Sequence, residues 1–226
     1  MESEKNNALR SPVKRSKVAY VPNNQQEIST FVITGLTGSA FLPLNPSVLE
    51  ISLLAIERSD ILLLAGQGPP RALNRLTLTF KPKISPIPIR AMQNTGLLDS
   101  SVEHGHVMGD EDVTIIDKFL ERLPRPVCLV SYSGDLYDYR VIKNELKRLH
   151  KTISKDWLLC TNLHKAVRQF RPGLDSYDLN NVYKVVYNGQ NQNTDESAEC
   201  VVRMLTEIIS CTPGVIGWMD LNNGLF

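Results

Sequence analysis

The residues able to do chemistry fall in a few short stretches. SGDLYDY carries Asp135 and Asp138, and ESAE carries Glu196 and Glu199. Carboxylates brought together hold divalent cations through their oxygens, and Asp138 with Glu196 or Asp135 could loosely hold one ion. HGHVMGDED, His104 to Asp112, mixes metal-type side chains, but reads as a polar loop closing in a helix cap. GQGPP is glycine-rich and lacks the Lys and Ser/Thr of a phosphate-binding loop. Ser131, Ser133 and the four histidines form no nucleophile–base pattern. Cys128, Cys160, Cys200 and Cys211 stand in apolar contexts without CxxC spacing. They read as buried free thiols in a reducing compartment rather than as a zinc site.

Charge is uneven although the net charge of the 226 residues is only +1. Between Arg140 and Pro172 lie nine Lys and Arg against Glu145 and Asp156. Such a stretch can face a phosphate backbone, or can be the solvated sides of two helices. No apolar run approaches the roughly 18 residues of a membrane span, so no membrane partner is expected. The polar start MESEKNNALR does not read as a secretory signal. The expected location is the nucleus or the cytoplasm.

Patterning predicts the elements that must position these groups. Residues 31–36 and 48–56 are apolar and β-branched, LTLTF (Leu76 to Phe80) alternates with period two, and 127–132 and 157–160 complete five strands. Helical spacing marks 112–123, 139–149, about 162–170 and 177–187, and 195–210, where Ala198, Val201, Val202, Leu205, Ile208 and Ile209 share a stripe. KPKISPIPI must be extended, because its prolines forbid a helix. The order predicts an α/β fold, a five-stranded mixed sheet flanked by helices, in the ribonuclease H-like arrangement. Residues 1–28 read as a disordered tail, 29–221 as one domain, and 222–226 as a short tail.

Six stretches in chain order carry a family resemblance: VLEISLLAIERS, PPRALNRLTLTFKP, NTGLLDSSV, PVCLVSYSGDLYDYRVIKNELKRL, SYDLNNVYKVVYNGQ and DESAECVVRML. Together they resemble the three-prime repair exonucleases, a branch of the DEDDh 3′–5′ exonucleases, over about Thr30 to Leu221. The resemblance implies hydrolysis of the terminal phosphodiester by two magnesium ions held by four carboxylates, with a histidine as general base. Glu50 in VLEIS sets the spacing that puts the family's first acid pair on Gly35 and Thr37. The third acid survives as Asp138 in SGDLYDY. On the last helix Glu196 stands in place of the general base and Val201 in place of the fourth acid. A further family aspartate becomes Asn162, and the wall after the first strand reads Gly38, Ser39, Ala40 and Phe41.

One of four metal carboxylates remains, so no metal site and no cofactor are expected, although the family uses magnesium. Asp138 reads as a relic, a helix N-cap. The leading expectation is a catalytically inactive exonuclease homologue that binds nucleic acid, single-stranded DNA 3′ ends foremost, through Phe41, Tyr132, Lys143, Lys147, Arg148 and Lys151. One alternative is a protein-interaction module. The resemblance implies a homodimer through the Leu76–Phe80 edge, and pairing with an active relative is also open. The other alternative is an active metal-dependent exonuclease with unusual ligands.

Overall fold

TFVITGLTG is apolar or small at nearly every position, so it can be covered on both faces. It forms β1 (Thr30–Gly38), buried along all but its last residue. The computed structural model describes residues 27–40, 45–63, 68–72, 74–83, 86–153, 155–186 and 197–226. After β1 come β2 (Val48–Glu57), α1 (Arg58–Leu63), β3 (Asn74–Thr79), α2 (Ile89–Thr95), α3 (Asp99–Val102), α4 (Asp110–Glu121) and β4 (Val127–Ser131). Then follow α5 (Asp138–Arg148), β5 (Leu158–Asn162), α6 (Leu163–Phe170), α7 (Leu179–Val186), α8 (Ala198–Ser210), α9 (Val215–Leu221) and β6 (Gly224–Leu225).

The sheet runs β3-β2-β1-β4-β5-β6. β1 pairs antiparallel with β2 and parallel with β4, and β4 pairs parallel with β5. The period of two along β1 sends Phe31 and Ile33 into one core and Val32 and Leu36 into the other. The first core packs under α6 to α9, the second under α4 and α5. This is a mixed α/β sheet covered on both faces.

The sheet has six strands rather than five, because Gly224 and Leu225 pair with Cys160 and Leu159. The residues expected to trail as a tail therefore lie on the sheet edge, where Phe226 is buried against the Tyr139 ring. A two-residue strand carries no periodicity to read. Most of the expected N-terminal tail lies outside the described residues, but Ile28 is fully buried. Cys128 and Cys200 are buried thiols, whereas Cys160 and Cys211 are partly exposed. Among the described residues no single helix is long and apolar enough to cross a membrane.

Candidate functional site

β1 and β2 bring Glu50 opposite Thr37 and Ser52 opposite Gly35. One face of this pair is covered by α8. The Glu50 carboxylate accepts a hydrogen bond from the Ala198 backbone N–H at 2.7 Å. Ser197 caps the same turn by accepting from the Cys200 N–H at 3.3 Å. A carboxylate there meets the positive end of the helix dipole and a backbone donor with no partner inside the helix.

This anchoring seats the first turn of α8 directly on Gly35. A Cβ built at Gly35 would stand 2.1 Å from the Ala198 carbonyl oxygen and 3.0 Å from Val202 Cγ2. Only glycine permits that approach of helix to strand. The same crowding recurs at Gly38, where a Cβ would meet the Tyr137 hydroxyl at 2.1 Å. That hydroxyl donates to the Ala40 carbonyl at 2.7 Å, which holds the start of α5 against the end of β1. Val201 lies one turn into α8 and is partly buried against the core.

Asp138 opens α5 without capping it. The N-cap is Tyr137, with no side-chain cap bond. The Asp138 carboxylate instead accepts from the Ser131 hydroxyl at the end of β4. Burial raises its pKa to about 6, against the opposing hydrogen bonds from Ser131 and the Ser133 backbone. The first turns of α8 thus lie against Gly35 near the carboxyl end of β1, and Asp138 lies against Ser131 at the carboxyl end of the neighbouring β4. Glu196 and Phe41 lie outside the described residues.

The arrangement does not fit two magnesium ions. Gly35 and Val201 offer no side-chain oxygen, Glu50 is engaged by the Ala198 N–H, and Asp138 is engaged by Ser131. Among the described residues no three His, Cys, Asp or Glu are grouped to hold a metal ion. His106 and Asp112 meet at 3.0 Å, and Asp112 accepts from the Gly109 N–H at 2.7 Å, closing the first turn of α4.

The cations of α5 divide between two faces. Arg148 donates to Glu145 at 2.7 Å and to the Met108 carbonyl at 2.6 Å. Glu145 is 2 % exposed and also takes Lys83 at 2.5 Å, so Arg148 neutralises a buried charge and is not free for phosphate. Lys151 pairs with Asp110 at 3.2 Å. Tyr132 is buried, its hydroxyl donates to the Tyr177 carbonyl at 2.6 Å, and burial holds its pKa well above that of a free phenol. Tyr132 and Arg148 are thus bonded within the fold, whereas the Lys151–Asp110 pair lies in solvent. Lys143 and Lys147 are exposed, and with Arg140 they form an outward stripe at i, i+3 and i+7. Arg140 was legible from that spacing. Lys165, which joins the stripe from α6, was not, because only the fold brings α6 beside α5.

The sequence supplies the deciding comparison. The chain is 30% identical over 212 residues to three-prime repair exonuclease 1 of Bos taurus, covering 85% of this chain and 67% of the relative. The chain belongs to the three-prime repair exonuclease family. It is also 26% identical to three prime repair exonuclease 2 of Mus musculus, covering 84% of this chain and 87% of that protein. Against the family's human exonuclease 1 it is 29% identical and spans 62% of that protein's length. No family model matches the chain. In fold it is similar to a 3′-exonuclease whose solved structure concerns 3′-end recognition of the histone mRNA stem-loop. The TM-score is 0.66 at 9% identity, covering 82% of this chain and 81% of that one. The Escherichia coli ExoI–ssDNA complex in its zinc-bound form gives a TM-score of 0.61 at 15% identity, covering 84% of this chain and 41% of that one. These structures show that the chain has the fold of 3′-exonucleases.

Proposed function

We propose that this family member binds nucleic acid, single-stranded 3′ ends in particular, and does not cut it. The observation that carries the reading is the seat of α8 on Gly35. The position that the family resemblance assigns to the first metal carboxylate is filled by the Ala198 carbonyl oxygen, 2.1 Å from where a Cβ would be. Loss of several cooperating catalytic groups costs on the order of 10⁴–10⁶ in rate. Binding is supported by the family relationship and by the outward stripe of Arg140, Lys143 and Lys147. Phosphate contacts release counterions, so three of them give a salt slope of about −2 for a single strand.

A nuclease assay on a labelled single strand, with magnesium and with EDTA, tests both halves. The expected result is retention at low salt without cleavage, and no magnesium requirement. Binding should weaken when Arg140, Lys143 and Lys147 are changed together to Glu. Magnesium-dependent cleavage lost in Asp138→Ala would overturn the inactive reading, and no retention at low salt would overturn the binding one.

A second reading, assembly through β3, is favoured by its place at the sheet edge. Leu76 and Leu78 turn inward, Arg75, Thr77 and Thr79 outward, and one rim of backbone groups lies away from β2. Such an edge pairs readily with another. Light scattering should then give about twice the 25.4 kDa of the chain, and a mass of one chain at all concentrations rejects it.

A further inference from the structure

We propose that Arg168, His164 and Tyr177 form a step on which one base of a single strand stacks, beside the carboxyl ends of β4 and β5. Ligands of α/β sheets gather outside those strand ends. α6 begins where β5 stops, and the His164 backbone N–H donates at 3.2 Å to the carbonyl of Tyr132, the residue after β4. The Lys165–Asp135 pair ties the same helix to the loop before α5. The step therefore lies at the same end of the sheet as Asp138, which is bonded to Ser131.

The step is built from beneath. Buried Tyr132 meets the His164 ring edge-on, with centres 5.5 Å apart at 79°. On its other side His164 meets Tyr177 at 6.1 Å and 84°. Tyr177 is held at both ends. Its carbonyl accepts from the Tyr132 hydroxyl at 2.6 Å, and its own hydroxyl donates to the Arg171 carbonyl at 2.9 Å. Arg168 follows His164 by one turn on the same face of α6. Its guanidinium carbon lies over the Tyr177 ring, 4.6 Å from the centre. Arg168 is exposed and makes no ion pair or side-chain hydrogen bond among the described residues. A planar cation laid on an aromatic ring offers its outer face to a base, as a second ring would.

His164 selects the kind of ligand. Burial, and then the charge of Arg168, hold its pKa below that of a free histidine, so the imidazole is neutral at pH 7. One ring nitrogen is then a donor and the other an acceptor, and neither is hydrogen-bonded among the described residues. That pairing suits the edge of a base, which offers both, and not a phosphate, which only accepts. A base inside a duplex has both faces stacked, so the strand must be single.

That the base belongs to a strand rests on the nucleic-acid-binding reading. The test is an NMR titration of the full chain in EDTA at pH 7, following the His164 ring proton, assigned by its loss in His164→Gln. The probes are a short single strand of deoxyadenosines, the same strand made abasic, and free adenosine. The expected result is saturable movement with the adenine strand and with adenosine, and not with the abasic strand. Arg168→Lys keeps the charge and removes the plane. It should weaken the adenine strand about five- to hundredfold, the range of one base stack, and leave the abasic strand unchanged. Lysine as good as arginine on the adenine strand overturns the step, as does equal movement with the abasic strand. An adenine strand that binds while the His164 signal stays still overturns the step and leaves the nucleic-acid reading standing. Adenosine that moves the signal in a chain that holds no strand supports the step and overturns that reading. A chain that holds no strand and a signal that adenosine does not move overturn both.

Discussion

Gly35→Ala adds one methyl group to β1 and sets two effects of opposite sign against each other. In an open cleft, alanine in a strand is favoured over glycine by about 0.5–1 kcal/mol, through the smaller freedom of the unfolded chain. Here the new carbon would lie 2.1 Å from the Ala198 carbonyl oxygen and 2.9 Å from its carbon. Relief of that contact needs the first turn of α8 to withdraw by about 1 Å, beyond hydrogen-bond range for the Glu50–Ala198 contact now at 2.7 Å. Overpacking costs about 1–3 kcal/mol and a lost bond to a charged acceptor about 1.5–3 kcal/mol. The net expectation is a loss of about 2–5 kcal/mol, a large share of a domain's total of about 5–15 kcal/mol. Urea denaturation reads it as a lower midpoint at unchanged slope. Gly217→Ala in α9 is the control. Its Cβ meets nothing within 4 Å, and alanine in a helix should gain about 0.8–1 kcal/mol. Gly35→Ala as stable as the parent chain would refute the close seat of α8, and with it the main support for an inactive site. If the seat is real, Gly35→Asp does not restore a metal ligand, because the aspartate side chain begins with the same clashing carbon.

The pKa of Asp138, raised by burial to about 6 from the 3.8 of a free aspartate, makes stability depend on pH. The folded carboxyl takes its proton before the unfolded one, so the chain gains stability as pH falls from above 6 towards 4. Asp138→Asn should be the more stable form above pH 6 and should lose that advantage near pH 4. Parallel urea midpoints for the two across this range would contradict the assigned burial. Glu145→Ala leaves Lys83 and Arg148 without their shared carboxylate and should cost about 1.5–3 kcal/mol in chemical denaturation, since both cations keep contact with solvent. Arg148→Glu should likewise destabilise the fold, whereas Lys147→Glu, on the exposed face, should stay within about 0.5 kcal/mol of the parent.

Much of the scaffold was legible because its signals are local. LTLTF alternates, PVCLVSY is apolar throughout, and the heptad-like stripe from Ala198 to Ile209 can bury only one helix face, and these became β3, β4 and α8. The absence of acids at Gly35, Thr37 and Val201 was equally legible, because side-chain identity needs no coordinates once the spacing from Glu50 is fixed. Other elements lay below the threshold of pattern. α9 has seven residues and β6 two, too few for either pattern to stand out in the sequence.

The sequence by itself determined the sheet-and-helix order and that Gly35, Thr37 and Val201 carry no carboxylate, since both depend on residue types at short spacing. Only the tertiary structure decided what the remaining polar groups do. A one-dimensional count cannot tell Arg148, bonded to a buried Glu145, from Lys147, which has no such bond among the described residues. Nor can it tell that Glu50 is engaged by the start of α8, 148 residues away. The reason is physical: charge, desolvation and hydrogen bonding act over a few ångströms of space, and folding brings residues far apart in the chain within that range.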